Sequence, residues 1–125
     1  MASGTVLVVD DDPVIVQLLK VNFEMEGYEV LTASDGERGI ERARHDEPDV
    51  VVLDVMMPRV DGLEAARRLR ADPATGRLPI LLLSAKAQAS DIRAGEAVAD
   101  AYVTKPFDPL ELLDRVAKLI AHARR

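Results

Sequence analysis

Apolar positions along this chain alternate between two rhythms. Short, almost unbroken apolar runs occur at Thr5–Val9, Tyr28–Ala33, Val50–Leu53, Ile80–Ser84 and Tyr102–Thr104. Three of them, TVLVV, VVVL and ILLL, lack the every-other-residue polarity of a strand with one wet face. They predict strands buried on both sides, as in a parallel sheet covered by helices. The segments between the runs carry helical spacing, over about Pro13–Glu26, Gly36–His45, Leu63–Ala71, Ser90–Ala97 and Pro109–Arg124. In the first of these Val14, Leu18 and Val21 share one stripe, with Ile15, Leu19 and Asn22 beside it. Asp12 before Pro13, Asp35, Asp61 and Asp108 before Pro109 stand where side-chain oxygens cap helix N-termini. Gly27 is placed to stop the first helix.

Five strands alternating with five helices predict an α/β chain of the (βα)5 type. Right-handed crossovers would join the strands into a doubly wound, five-stranded parallel sheet. The expected strand order is 2-1-3-4-5, the flavodoxin-like arrangement, with residues 1–125 as one domain. Such sheets place their sites at the carboxyl ends of the strands, where the strand order reverses, here between the first and third. No internal repeat or linker interrupts the pattern; ADPATGRLP reads as a loop before the fourth strand.

Composition narrows the function classes. The chain has 125 residues, 48% of them hydrophobic but only 3% aromatic, so its core is aliphatic. A formal net charge of −6 with so few aromatics argues against nucleic-acid binding by this domain. With no Cys there is no disulfide, thiolate metal site or Cys nucleophile. His45 and His122 are far apart and predict no His-based metal site. No apolar run approaches the roughly 18 residues of a membrane span, and MASGTVLVVD lacks a signal-peptide core, so a cytoplasmic protein is expected.

The residues that close the strands carry the chemistry. The first strand ends in Asp10, Asp11 and Asp12, the third in Asp54, the fourth in Ser84, and the fifth in Thr104-Lys105-Pro106. Taken singly, Asp12 and Asp61 are simplest as helix caps, Ser84 as a strand end and Lys105 as a solvated amine. Those readings leave the convergence unexplained. Asp10, Asp11 and Asp54 would repel one another, and part-buried carboxylates resist ionisation. Lys105 offsets one charge; a hard dication would offset the rest, and oxygen-only donors suit Mg²⁺. An Asp beside Mg²⁺ and a Lys can attack phosphorus, with a hydroxyl orienting the transferred group. The predicted product is an aspartyl phosphate.

With VLVVDDDP, VVVLDVMMPRVDG, LLLSA and YVTKPF in this order, the chain resembles the response-regulator receiver domains of bacterial two-component signalling over essentially its whole length. The resemblance implies that Asp54 accepts a phosphoryl group from a sensor histidine kinase or a phosphotransfer protein. It implies that Asp11 binds Mg²⁺ directly, Asp10 largely through water, and that the Met56 carbonyl is a further ligand. Ser84 becomes the switch hydroxyl and Tyr102 the switch aromatic, Lys105 binds the phosphoryl group, and the Lys105–Pro106 peptide is cis. The chain would then be a switch that assists its own phosphorylation and autodephosphorylation, rather than a turnover enzyme. Three local features modify the picture. Met56 and Lys86 occupy positions that influence water access to the acyl phosphate, and an apolar Met56 predicts a long-lived phosphoryl state. Val98 stands where these domains commonly have Gly, so the fourth helix should end differently. ADPATGRLP is the longer form of its loop.

The fifth helix is apolar on two stripes, Leu110, Leu113, Ala117 and Ile120, and Leu112, Val116 and Leu119. They form either one wide core-facing band or a core stripe plus a surface shared with the fourth helix and fifth strand. That surface would control an output protein or domain, or form a homodimer on phosphorylation. The fourth helix, with little to bury beyond Ile92, suits an element that shifts. Two other readings carry less. A haloacid-dehalogenase-type phosphatase needs a second acid where Met56 stands. A degenerate receiver acting as a phosphorylation-independent interaction module would have lost Asp54, Lys105 or the acidic pair.

Overall fold

A computed structural model describes residues 3–124. The strands are β1 (Thr5–Val9), β2 (Glu29–Ala33), β3 (Val50–Asp54), β4 (Ile80–Ser84) and β5 (Ala101–Thr104). The helices are α1 (Pro13–Met25), α2 (Gly36–Asp46), α3 (Gly62–Ala71), α4 (Ala89–Glu96) and α5 (Pro109–Ala123). The strands form one parallel sheet in the order β2-β1-β3-β4-β5, as the alternation predicts. Boundaries move by a residue or two, and β3 ends in Asp54, as the sequence predicts.

Strand alternation divides the core in two. Leu7, Val9, Val51, Leu53, Ile80 and Leu82 point to the layer that packs with α2, α3 and α4. Val6, Val8, Val50, Val52, Leu81 and Leu83 point to the layer that packs with α1 and α5. Every residue of β3 and β4 is buried, which explains why their sequences show no polar face.

The four aspartate caps form as expected. Asp12, Asp35, Asp61 and Asp108 accept from the N–H groups of Val14, Arg38, Glu64 and Leu110. Gly27, at φ 100°, closes α1. The N–H of Gly27 bonds to Glu24 O, and that of Tyr28 to Phe23 O, which satisfies two carbonyls of the last turn. The Tyr28 ring meets Phe23 edge-on, with centroids 5.9 Å apart. At the end of α4 the chain stays right-handed through Ala97, and the N–H groups of Val98 and Ala99 return to Gly95 O. Val98 therefore takes no left-handed conformation; its side chain is half-buried against the core.

Two helices face differently from the sequence stripes. In α1 the sheet is met by Leu19 and Phe23, while Val14, Leu18, Val21 and Met25 lie exposed in a row. In α5 the core face is Leu112, Val116 and Ile120, with Leu113 and Leu119 at its margins. Ile120 belongs with Leu112 and Val116, and Leu110 is exposed. Ala117 is exposed as well, so the core face is narrower than a band joining both stripes. The ADPATGRLP segment is a compact turn whose buried Thr75 hydroxyl donates to Leu69 O.

Candidate functional site

The parallel sheet brings the ends of β1, β3, β4 and β5 to one edge, and with them the polar groups picked out in the sequence. Asp10 directly follows β1 and is buried; its Oδ1 accepts the N–H of Asp12 at 2.9 Å. Asp12 thus acts at two points, its amide orienting Asp10 while its carboxylate caps α1. That amide contact has no signal in the sequence. Asp11 is exposed at the mouth of the cleft.

Asp54 is only 4% exposed, so β3 delivers a buried carboxylate to the edge of the sheet. Its Oδ1 accepts from Lys105 Nζ at 3.3 Å and, at a longer 3.4 Å, from the Met56 N–H. Lys105 Nζ also lies 3.5 Å from Asp10 Oδ2. The amine therefore bridges the first and third strands across the point of strand reversal. Its backbone N–H bonds to Ser84 O at 2.8 Å, and the following Lys105–Pro106 peptide is cis.

The loop beyond Asp54 doubles back closely. Val55 O accepts from the N–H groups of Met57 and Gly62. A Cβ on Gly62 would stand 2.3 Å from Asp54 O, so only glycine fits there. Val55, Met57 and Val60 turn into the core, which leaves the Met56 side chain more than half exposed beside the cleft.

Ser84 is fully buried, and its Oγ accepts the N–H of Lys86 at 3.0 Å. The Tyr102 hydroxyl donates to Lys86 O at 2.8 Å. The Lys86 backbone is thus held from both sides, by the two residues expected to act as switches. Tyr102 is largely buried, with its ring against Gly95 of α4.

Charge at the site is unbalanced. One oxygen from each of Asp10, Asp11 and Asp54 lies within 4.8 Å of the others, and among the described residues the amine that pairs with them is that of Lys105. Burial first, and then the charge of Asp10, push the Asp54 carboxyl from 3.8 up to about 6; Lys105 and the Met56 N–H pull it back only in part. For Lys105, burial opposes the charge most, but Asp10 and Asp54 together outweigh it and raise the amine above its ordinary value.

This donor set fits a hard dication. The donors are oxygens, with no His or Cys in the cluster. Oxygens at about 2.0–2.1 Å from one Mg²⁺ lie no more than about 4.2 Å apart. Carboxylates within 4.8 Å need only small rotations or a bridging water to share an ion. The Asp10 repulsion that adds to burial in raising Asp54 is what a cation would relieve.

The family described as response regulator receiver domain matches residues 6–117. Among curated proteins, the chain is 44% identical over 121 residues to the DNA-binding dual master transcriptional regulator RpaA of Synechocystis sp., covering 96% of this chain and 50% of that protein. It is 47% identical over 116 residues to the alkaline phosphatase synthesis transcriptional regulatory protein PhoP of Bacillus subtilis, covering 92% and 48%. The chain thus spans about half the length of these relatives. Among solved structures, it superposes on the chemotaxis protein CheY4 of Vibrio cholerae with a TM-score of 0.88 at 34% identity, covering 94% and 99% of the two chains. The receiver domain of a sensor histidine kinase from Pseudomonas aeruginosa gives 0.86 at 30% identity, covering 96% and 99%. That structure has a magnesium ion coordinated in its active-site cleft.

Proposed function

The chain belongs to the response regulator receiver domain family, and on that premise we propose that residues 1–125 form one receiver whose Asp54 is the phosphoryl acceptor. The observation that carries this reading is the buried Asp54 carboxylate at the end of β3, 3.3 Å from Lys105, with oxygens of Asp10 and Asp11 beside it. Receivers of this family are signalling switches rather than turnover enzymes.

Asp54 attacks the phosphorus of a phosphohistidine carried by a sensor histidine kinase or a phosphotransfer protein. The P–N bond breaks, a P–O bond forms, and the departing imidazole takes its proton from solvent. Asp10, Asp11, Asp54 and the Met56 carbonyl would hold Mg²⁺, which when bound supplies positive charge for the phosphoryl oxygens. Lys105 already reaches Asp54 and would pair with a phosphoryl oxygen. Ser84 Oγ turns from the Lys86 N–H to donate to another. Lys86 is then free to move, and Tyr102 loses the carbonyl it holds. The change passes to α4, β5 and α5, whose altered surface controls a partner or output domain, with a homodimer as one form. Water later attacks the phosphorus, the P–O bond to Asp54 breaks and inorganic phosphate leaves, so autodephosphorylation uses the same residues.

A protein donor finds apolar surface beside the acceptor, since Val14, Leu18, Val21 and Met25 line the open face of α1, the helix that begins next to the acidic cluster. The net charge of −6 supports no nucleic-acid contact by this domain. No described helix is long and apolar enough to cross a membrane, and a cytoplasmic setting completes the reading.

Intact-mass analysis after incubation with acetyl phosphate tests the proposal. A gain of one phosphoryl group that requires Mg²⁺ and is absent in Asp54→Asn supports it. A folded protein with no gain under any condition favours the phosphorylation-independent module instead.

A further inference from the structure

Arg70, near the end of α3, is not part of the acceptor site, yet it binds more of the surrounding backbone than any residue within that site. Its Nε donates to Val98 O at 3.1 Å. One terminal nitrogen donates to Leu78 O at 2.6 Å and Gly76 O at 3.3 Å; the other reaches Asp100 Oδ2 at 2.6 Å. Asp100 Oδ2 also accepts the Ile80 N–H at 2.8 Å. A single guanidinium thus ties the C-terminal turn of α3 to the segment leading into β4 and to the connection between α4 and β5. Its fixed fork of donors suits one rigid geometry, which a lysine ammonium cannot reproduce.

The other end of α4 lacks such anchorage. Gln88 provides no side-chain cap, and residues 85–90 are all exposed. Only Gly95 of α4 is buried, with its Cα face so close to Tyr102 that a Cβ would stand 2.3 Å from the ring. The Tyr102 hydroxyl holds Lys86 O just before the helix. Ile92 packs on the core midway along the helix. Among the described residues, the hydrogen bonds that tie the helix to its surroundings are therefore those of Arg70 just beyond its C-terminal end and those of Lys86 just before its N-terminal end, where the Lys86 N–H depends on Ser84.

We propose that Arg70 is a positioning residue that makes the C-terminal end of α4 a pivot, so that phosphorylation swings the N-terminal end of the helix instead of releasing it whole. This rests on the proposed acceptor role of Asp54. Displacement generated at Ser84 and Lys86 is conserved as rotation only while residues 95–100 stay fixed. Without the Arg70 bonds the same displacement spreads into the start of β5.

Hydrogen exchange read by mass spectrometry on the whole chain, with and without acetyl phosphate and Mg²⁺, tests the pivot. Intact mass is measured on the same samples. In the wild-type protein, phosphorylation should speed exchange in residues 85–92 by about tenfold or more and leave residues 95–100 within about twofold. In Arg70→Met the phosphorylation-linked change should extend through residues 95–100, and Arg70→Lys should fall between. A merely structural Arg70 would instead raise exchange in residues 95–100 equally in both states. That result overturns the proposal, as does a wild-type response of equal size in the two segments, which decides the matter even if the variants fail to fold. A sample with no phosphoryl mass gain refutes the acceptor role, and is recognised as such by its mass.

Discussion

Replacing the acceptor should make the cation-free protein more stable. Burial, with the added charge of Asp10, carries Asp54 from 3.8 to about 6. For an acid whose folded pKa lies above its unfolded one, the ionised form is penalised on folding. The penalty is absent below about pH 4, grows between about 4 and 6, and is complete above that. At about 1.4 kcal/mol per pH unit its full size is about 3 kcal/mol. Solvent at the cleft mouth, and the carboxylate partner that Lys105 loses, reduce the gain from Asp54→Asn to about 1–2 kcal/mol. For a domain of this size that is about 4–8 °C in Tm. Thermal unfolding by circular dichroism, in chelator at pH 8, 6 and 4, reads the difference. The variant should melt higher at pH 8, and its advantage should vanish at pH 4. Millimolar Mg²⁺ should narrow the gap at pH 8, because a cation that binds only the folded wild-type site stabilises it by mass action. An Asp54→Asn protein no more stable than wild type at pH 8 in chelator, or an advantage undiminished at pH 4, would refute the reasoning.

Three further outcomes follow from the same geometry. Lys105→Met removes the one amine at the site; the rate of phosphorylation by acetyl phosphate should fall about a hundredfold, and NMR titration in chelator should find the Asp54 carboxyl above 6. Gly62→Ala forces a methyl group against the backbone of Asp54 and Val55, where no flexible side chain can yield; urea denaturation should show a loss of about 2–3 kcal/mol. Met56→Asn puts a polar group beside the acyl phosphate, and loss of phosphate, followed by intact mass after removal of the donor, should be faster than in wild type.

The sequence made most of the scaffold readable because its signals are local. Fully buried strands need continuous apolar runs, and caps need a short oxygen-bearing side chain just before a helix, so β1, β3, β4 and the four Asp caps were all placed. The convergence of Asp10, Asp54, Ser84 and Lys105 followed from the strand order, since parallel strands must end on the same edge. What stayed hidden depends on tertiary facing. Periodicity shows that α1 has apolar stripes but not which one meets the sheet, and Val14, Leu18 and Val21 turned out to face solvent. Arg70 looks like any helix arginine until the loops it binds are in place. Glu47 and Arg59 adopt left-handed backbone, at φ 48° and 66°, without the Gly or Asn that would announce it.

The most direct test of the central claim is to locate the phosphoryl group. After acetyl phosphate and Mg²⁺, borohydride reduces an acyl phosphate to an alcohol, which leaves homoserine where the aspartate was, and peptide mass spectrometry finds it. Homoserine is expected at position 54, with Asp10 and Asp11 unchanged. Homoserine at either of those positions, or none in a protein that has gained a phosphoryl group, would contradict it.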